Sequence, residues 1–160
     1  MPSVDPAVFR QLCGRFATGV VVVSTTGEHG ELVGMTANSF TSVSLEPPLV
    51  SVNIDHQADL HRHLLRAERF VINVLDSKQE AVSRRFAGEH ADRFDGVGYR
   101  LDRNGLPILA GTIATLECER HTTFEAGDHT IVVGRVTGGE TAEGRPLLYY
   151  RGGYHDLPSA

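Results

Sequence analysis

The sequence predicts a mainly β protein with a few short helices, in which six or seven antiparallel strands form a closed or nearly closed barrel. Short runs rich in β-branched and aromatic residues recur along the chain, and glycine or proline residues separate them. Only three segments have apolar residues at helical spacing, and all three are short. A length of 160 residues is typical of one domain, which we assign to residues 1–160.

The first predicted element is a short amphipathic helix over residues 5–17. Asp5 is a suitable N-cap because its carboxylate can accept a hydrogen bond from the first turn, and Pro6 fits the first helical position. The residues that give this helix an apolar face are Val8, Phe9, Leu12, Cys13 and Phe16.

An antiparallel hairpin is predicted to follow the helix. Residues 18–26 are dominated by β-branched side chains, which favours a buried strand. Residues 28–31 form the turn, and residues 32–39 form the returning strand. A further strand over residues 49–54 is entered through a Pro-Pro pair, because proline cannot lie within a central ladder.

The middle of the chain is predicted to alternate helices and strands. A helix over residues 58–67 places three leucines on one face, and residues 70–75 form the next strand. Ser77 and Glu80 then have the spacing of a capping box, which predicts a helix that begins there and ends at Gly88.

The last part of the chain is predicted as a long surface loop followed by strands. Residues 89–105 are polar and contain glycine, which favours a loop. Apolar and β-branched residues predict strands over residues 108–119, 130–137 and 147–150. No internal repeat, linker or low-complexity tract interrupts the sequence, which fits the assignment of one domain.

Residues 34–52 (GMTANSFTSVSLEPPLVSV) depart from the alternation of a half-buried strand. Five small polar residues fall within one short run of this stretch, residues 36–42: Thr36, Asn38, Ser39, Thr41 and Ser42. Such side chains offer hydrogen-bond donors without bulk and leave the backbone accessible, which suits a phosphate or a polyol chain. The alternative is a polar edge strand or turn. We expect Phe40 and Val43 to point inward and fix the register of the strand.

Composition and charge restrict the class of partner. The net charge is -5, the pI is about 5.9 and the basic residues are scattered, which does not favour nucleic-acid binding. No apolar run approaches the ~18 residues of a membrane helix, and the N-terminus lacks the apolar core of a signal peptide. Cys13 and Cys118 are far apart and form no CxxC pair. We therefore expect a cytoplasmic protein with reduced thiols and no membrane contact.

Sequence motifs for common catalytic and metal sites are absent or incomplete. Residues 14–19 have the glycine spacing of a Walker A loop, but they lack the following Lys-Ser/Thr and lead into a strand. There is no GxGxxG between a strand and a helix, and no GxSxG. His61 and His63 point to different faces of a helix, and His121 and His129 lack the spacing of further ligands, so we expect no metal site. These absences favour a protein that holds an organic cofactor.

Six segments resemble the short-chain flavin reductase family, the NAD(P)H:flavin oxidoreductases that serve two-component flavin-dependent monooxygenases. In chain order they are FATGVVVVST (16–25), GMTANSFTSVSLEPPLVSVN (34–53), FVINVL (70–75), RRFAG (84–88), GDHTIVVGRV (127–136) and PLLYYRGGYHDL (146–157). The resemblance covers the chain from about residue 8 to residue 157. It implies a split β-barrel of the FMN-binding type, which forms a homodimer and binds FMN or FAD near the subunit interface.

The resemblance also implies which residues bind the flavin. They are Thr36, Ala37, Asn38 and Ser39 along the ring edge, ribityl chain and phosphate; Ser51, Val52 and Asn53 beneath the ring; His56, Gln57, Ala58 and Asp59 in a phosphate-binding turn; and Arg85, Phe86 and Ala87 in a segment that closes over the cofactor.

Three of these residues have alternative interpretations. Asp59 departs from the family pattern, because a carboxylate beside a phosphate is unfavourable unless it caps the helix. We therefore expect Gln57 and backbone N–H groups at the start of the helix to contribute more. Phe86 could instead be a core residue on the face of its helix, and Arg85 could instead be solvated.

The nicotinamide side of the implied site depends on His129, Arg151 and Tyr154. His129, in the Gly-Asp-His motif, would be the catalytic residue that orients or polarises the nicotinamide; alternatively, it is a strand-start histidine bonded to a loop. The implied activity is reduction of FMN or FAD by NADH or NADPH, with the reduced flavin supplied to a partner monooxygenase. Two alternatives remain open: a standalone flavin or ferric reductase, and a flavin-binding storage or sensor module without turnover.

Overall fold

Three short helices and twelve strands form the structure of residues 3–158, the part of the chain that the computed structural model describes. The helices are α1 (Pro6–Cys13), α2 (Asp59–Arg66) and α3 (Glu80–Ala87). The strands are β1 (Thr18–Gly19), β2 (Val21–Thr26), β3 (Leu32–Ala37), β4 (Thr41–Ser44), β5 (Leu49–Asp55), β6 (Arg69–Val74), β7 (Tyr99–Leu101), β8 (Pro107–Leu109), β9 (Ala114–Ala126), β10 (His129–Thr141), β11 (Leu148–Tyr150) and β12 (Gly153–His155). None of the helices in this range has the length and apolar character needed to cross a membrane.

Seven antiparallel strands form the main sheet, in the order β3-β2-β6-β9-β10-β5-β4. Two small sheets, β1-β11-β12 and β7-β8, lie outside it. The mainly β class with short helices is therefore confirmed. The edge strands β3 and β4 are neighbours in the chain, so both edges of the sheet meet at the short segment of residues 38–40.

The largest buried cluster lies between the main sheet and α2. It includes Val52, Leu64, Phe70 and Cys118, and each of these residues is almost completely removed from solvent. Burying one such apolar side chain stabilises the fold by roughly 1.5–3 kcal/mol. Burial also raises the pKa of the Cys118 thiol to about 12, so this thiol stays protonated at neutral pH.

A buried polar network attaches β8 to the sheet. The Asn73 side chain is fully buried, and its Nδ2 donates to the Val22 carbonyl and to Ser24 Oγ, both at 2.9 Å. Asn73 Oδ1 accepts from the Leu109 N–H at 2.9 Å, and the Ser24 hydroxyl donates to the Pro107 carbonyl at 2.7 Å. Because an unpaired polar group in this position would be costly, the network fixes how β8 lies against β2 and β6.

The predicted N-terminal helix is confirmed, but its apolar face is not buried. Asp5 Oδ1 accepts a hydrogen bond from the Ala7 N–H at 2.8 Å, and Pro6 begins the helix. The large apolar side chains on and just after α1 remain exposed: Val8, Phe9, Leu12 and Phe16. Attachment to the rest of the chain includes a backbone hydrogen bond of 3.0 Å from the Arg151 N–H to the Gly14 carbonyl.

The predicted capping box at Ser77 is wrong. Helix α3 begins at Glu80 with Gln79 as its N-cap, and no side chain caps it. Asp76 organises the turn instead, because its Oδ1 accepts from the Lys78 N–H while its own N–H donates to Gln79 Oε1, each at 2.8 Å. An Asx-type turn therefore precedes the helix, where the Ser-x-x-Glu spacing had predicted a capping box.

Val43 does not point inward, contrary to the sequence prediction. Phe40 packs against the core, but the Val43 residue is 53% exposed. The β4–β5 register shifts between Ser42 and Ser44, and such a bulge reverses the side-chain alternation of the bulged strand. The predicted strand over residues 108–119 is also divided into β8 and β9, and β7 and β12 were not predicted.

Candidate functional site

One outward surface of the β5–β10 pair contains three of the predicted site residues. Ser51, Asn53 and Asp55 point to one side of β5, whereas Val52 is buried on the other. His129 lies directly opposite Asp55 across the ladder, so it shares that outward surface. The structure therefore brings Ser51, Asn53 and His129 onto one face, while Val52 can offer a ligand only its backbone.

Ser39 connects the predicted flavin segment to this surface. Its Oγ accepts a hydrogen bond from the Asn53 N–H at 2.9 Å and donates to the Asn53 carbonyl at 3.3 Å. One hydroxyl thus joins the segment after β3 to β5, at the point where the two edges of the sheet meet. The neighbouring Asn38 is exposed, and Ala37 packs against the core.

The turn after β5 leaves the start of α2 open to an anion. Asp55 Oδ1 accepts from the Gln57 N–H at 2.8 Å, and Ala58 is the N-cap, so no side chain occupies the first N–H groups of the helix. Such groups, together with the helix dipole, attract negative charge. The Asp59 carboxylate does not cap the helix; it pairs with Arg62 Nη2 at 2.8 Å, which partly offsets its charge.

A hydrogen-bond network holds this turn against the β9–β10 hairpin. His56 Nε2 lies 2.7 Å from Glu125 Oε2, and Thr130 Oγ1 donates to Glu125 Oε1 at 2.9 Å. His61 Nε2 lies 2.8 Å from the same threonine hydroxyl. The hydrogen bond from Thr130, with a further contribution from His56, lowers the pKa of Glu125. His56 therefore has a structural partner, and it faces a carboxylate rather than an open phosphate site.

His129 is held by the residue that precedes it. Its Nδ1 donates to Asp128 Oδ1 at 2.7 Å, and this hydrogen bond lowers the pKa of the Asp128 carboxyl. The His129 side chain is 41% exposed, and within residues 3–158 its Nε2 has no hydrogen-bond partner. The carboxylate fixes the ring orientation and leaves Nε2 available to a ligand.

A second group of residues forms around α3. Thr36 Oγ1 donates to the Ser83 carbonyl at 2.7 Å, and Ser83 Oγ lies 2.7 Å from the Tyr154 hydroxyl. The Arg84 guanidinium carbon lies 4.9 Å from the centre of the Tyr154 ring. Thr36 and Tyr154 are thus linked through α3. Ser83 was not predicted, because a small residue on a buried helix face gives no signal in the sequence.

The closing segment 85–87 faces the protein rather than an open site. Phe86 is fully buried and packs edge-to-face on Phe94, with ring centroids 4.9 Å apart, which confirms its alternative interpretation as a core residue. The Arg85 guanidinium donates to the carbonyls of Arg93 at 2.7 Å and of Asp92 at 2.9 Å, and Ala87 is exposed. Arg85 therefore holds the following loop in this structure.

A groove of about 730 Å³ lies between α1 and the turn that joins β11 to β12. Asn38, Tyr149 and Arg151 line it, so two of the predicted ligand residues meet there. Tyr149 also contacts Tyr154, with ring centroids 5.4 Å apart. The groove therefore adjoins both the Ser39–Asn53 surface and the α3 group.

Comparison with known proteins agrees with the resemblance seen in the sequence. The family model described as a flavin reductase like domain matches residues 13–158. A flavin reductase of Pseudomonas putida is 43% identical over 153 residues, which cover 95% of this chain and 90% of the relative. The reductase subunit of a flavin-dependent monooxygenase from Rhodococcus jostii is 37% identical, with coverage of 95% and 78%.

A solved structure is similar over almost the full length of the chain. It is the NADH:FAD oxidoreductase of Streptomyces globisporus in complex with NAD and FAD fragments, with a TM-score of 0.92 at 39% identity. The match covers 99% of this chain and 98% of that protein. Since the family model matches most of the sequence and the identity to relatives exceeds 30%, the chain belongs to the flavin reductase family.

Proposed function

We propose that this protein is an NADH-dependent flavin reductase that supplies reduced FMN or FAD to a partner flavin-dependent monooxygenase. The observation that carries this proposal is the surface shared by Ser39, Asn53 and His129, which combines small polar groups with an oriented imidazole. The names of the relatives support the cofactor assignment, since one is an NADH:FAD oxidoreductase and another is the reductase subunit of a monooxygenase.

The residues at this surface fit a flavin mononucleotide unit. The Asn38 side chain and the backbone around Asn53 would contact the ring and the ribityl chain. The uncapped start of α2, with its N–H groups at Asp59 and Leu60, is suited to the phosphate. A bound flavin accepts hydride from a reduced nicotinamide and passes the electrons on, and this chemistry belongs to the cofactor.

The contribution of the protein is to position the reactants. Holding the nicotinamide and flavin rings in a reactive arrangement can lower the activation barrier of hydride transfer by several kcal/mol, because the entropy of bringing them together is lost on binding and not in the reaction step. Asp128 accepts a hydrogen bond from Nδ1 of His129, and in the tautomer with its proton on Nδ1 the ring presents Nε2 as a hydrogen-bond acceptor. That atom is suited to accept from the carboxamide of a nicotinamide and to fix its orientation. No side chain is required as an obligatory acid or base.

We further infer that the sheet closes into a split barrel within a single domain and that the chain forms a homodimer. One buried cluster supports closure, because it contains side chains of β2, beside one edge strand, and of β5, beside the other. An exposed apolar face supports a dimer, because Val8, Phe9 and Leu12 lie on one side of α1 and are not covered. A contiguous apolar patch, unlike a single exposed side chain, is typical of a protein–protein interface.

A steady-state assay tests the proposed activity directly. NADH oxidation by the purified protein is expected to require added FMN or FAD, and to be slower when NADPH replaces NADH. Flavin binding without NADH oxidation would instead indicate a storage or sensor module. Reduced flavin that supports hydroxylation by a co-expressed monooxygenase would separate a reductase component from a standalone reductase.

Replacing Asn38 with leucine is expected to raise the Kd for flavin about tenfold, the effect of losing one or two net hydrogen bonds. Asn38 is exposed and its side chain has no hydrogen bond within residues 3–158, so the Tm of the flavin-free protein should not change. Flavin fluorescence titration and thermal unfolding measure the two quantities. Asn104→Leu is a matched control at an exposed turn; a large fall in Tm with unchanged flavin affinity would show that Asn38 is structural.

A further inference from the structure

The tip of the β9–β10 hairpin carries a connected network of four side chains, the tip network: His56, His61, Glu125 and Thr130. Glu125 and Thr130 lie directly opposite each other across the β9–β10 ladder, so their side chains share one face of the sheet. His129 precedes Thr130 in β10 and therefore points to the other face. The tip network thus lies behind the imidazole that the proposed function uses.

Hydrogen-bond donors and acceptors match throughout the tip network. The Glu125 carboxylate can only accept, so His56 Nε2 is the donor in their contact of 2.7 Å. The single hydroxyl proton of Thr130 goes to the other carboxylate oxygen, so His61 Nε2 must donate to the Thr130 hydroxyl oxygen. Thr130 is fully buried, and leaving its hydroxyl without partners would be costly. The network therefore specifies one arrangement of the two imidazoles.

The backbone of His56 connects the tip network to His129. Its N–H donates to the Asp128 carbonyl at 3.0 Å, and the Asp128 carboxylate accepts from His129 Nδ1 at 2.7 Å. Asp128 belongs to the turn between β9 and β10, and its side chain is 88% exposed, so packing gives it little support. Among the hydrogen bonds of residues 3–158, the one from His56 ties Asp128 to an element outside its own hairpin. The orientation of the His129 ring therefore depends on where His56 holds the turn.

The contact with Glu125 determines where the His56 side chain lies. His56 is in an exposed turn, and within residues 3–158 its side chain has one hydrogen-bond partner, the Glu125 carboxylate. Its ring also packs edge-to-face against His61, with ring centroids 5.1 Å apart. Both contacts hold the ring toward the hairpin, and Nε2 is already engaged. This arrangement supports a positioning role for His56 more than direct binding of the flavin phosphate.

We propose that Glu125 is a positioning residue for His129 and acts through His56 and the carbonyl of Asp128. Glu125 fixes the His56 imidazole, the His56 N–H fixes the turn at Asp128, and the carboxylate of that turn orients the imidazole proposed for the nicotinamide. This inference rests on the proposed reductase function. It assigns His56 to the nicotinamide side of the site, whereas the family resemblance implied a place beside the flavin phosphate.

Removing the carboxylate in Glu125→Ala is expected to raise the KM for NADH about fivefold, the effect of losing about one net hydrogen bond from the positioning path. The kcat and the Kd for FMN should change less than about twofold, because the variant does not alter the surface proposed for the flavin. Glu125→Gln keeps an oxygen acceptor on a side chain of the same length, and it is expected to restore most of the NADH affinity. Steady-state kinetics and fluorescence titration measure these quantities.

Glu28→Ala is the matched control for this variant. The Glu28 side chain is 67% exposed, as is that of Glu125, and it pairs with Arg66 at the last residue of α2. Its removal should leave the KM for NADH and the Kd for FMN unchanged. A KM for NADH that is unchanged in Glu125→Ala, or that rises equally in the control, overturns the positioning role. A Kd that rises for FMN but not for riboflavin also overturns it, because riboflavin lacks only the phosphate.

A double variant tests whether His56 and Glu125 act as one path. His56→Leu removes the imidazole and retains the N–H that binds Asp128, so it should raise the KM for NADH by a factor similar to that of Glu125→Ala. Because both substitutions break the same contact, the double variant should be no worse than either single variant. Additive losses would overturn the path through His56.

Nitrogen NMR of isotopically labelled histidine rings gives a readout that does not depend on turnover. At about pH 8, where an imidazole is ordinarily neutral, the His129 signals report the share of rings protonated on Nδ1, and their loss in His129→Ala assigns them. Glu125→Ala is expected to lower this share, whereas Glu28→Ala should not. An unchanged share in Glu125→Ala overturns the inference. Failure of the proposed function would look different, because Glu125→Ala would then show this NMR change although the wild-type protein does not oxidise NADH.

Discussion

Replacing His129 with alanine is expected to lower kcat/KM for NADH by about 100-fold, which corresponds to ~2.7 kcal/mol of lost stabilisation. The expected size reflects the loss of one oriented hydrogen-bond acceptor, together with the freedom that the nicotinamide would gain. The Kd for flavin should change less than about twofold, because no proposed phosphate contact involves His129. Stopped-flow reduction at several NADH concentrations measures the first quantity, and fluorescence titration measures the second.

Asp128→Asn provides the control for ring orientation. The hydrogen bond from His129 lowers the pKa of the Asp128 carboxyl, so this carboxylate is ionised throughout the neutral range. Because this pKa is lower in the folded state than in the unfolded state, the ionised carboxylate stabilises the fold at pH values above the unfolded-state pKa. The stabilisation is lost as the pH falls through the folded-state pKa. We expect a smaller loss of NADH use in Asp128→Asn than in His129→Ala, because the imidazole remains and loses only the carboxylate that orients it. Equal losses of flavin binding and NADH use in His129→Ala would contradict a nicotinamide role.

Replacing Asn73 with leucine is expected to lower the free energy of unfolding by about 3 kcal/mol and the Tm by roughly 10 °C. The substitution removes three hydrogen bonds inside the protein and leaves the Leu109 N–H buried without its acceptor. It also leaves the Val22 carbonyl and the Ser24 hydroxyl without this donor. Calorimetry or circular dichroism of the flavin-free protein measures the change.

Ser24→Ala is the matched control for this network. It removes one of the two acceptors of Asn73 Nδ2 and leaves the Val22 carbonyl in place. The expected loss is smaller, about 1 kcal/mol, because fewer buried groups remain unpaired. A Tm within about 2 °C of wild type for Asn73→Leu would show that β8 does not depend on this amide.

Elements with a strong local signal could be predicted from the sequence alone. The continuous β-branched run gave β2, and the Asp5-Pro6 pair gave the start of α1, because strand propensity and N-capping depend on a few adjacent residues. The orientation of Val43 could not be predicted in this way, because it depends on a bulge in the β4–β5 ladder. Strand β12 was missed because its three residues have no distinct pattern.

The candidate site shows a similar division. The Gly-Asp-His motif drew attention to His129, and the polar run drew attention to Ser39, since both signals are contiguous in the sequence. Their relation to Asn53 depends on the register of β5 against β4 and β10, which no local pattern encodes.

The strand order of the main sheet determines when the proposed cofactor surface, shared by Ser39, Asn53 and His129, can form. Three of its pairings, β2–β3, β4–β5 and β9–β10, join neighbours in the chain and close short loops, so these hairpins can form early. Ser39 and Asn53 lie at the end of the β4–β5 hairpin, whereas His129 joins them only through the pairing of β5 with β10. The surface is thus complete only when the distant pairings are in place. A chain emerging from the ribosome must therefore release β10 before the surface proposed for flavin exists.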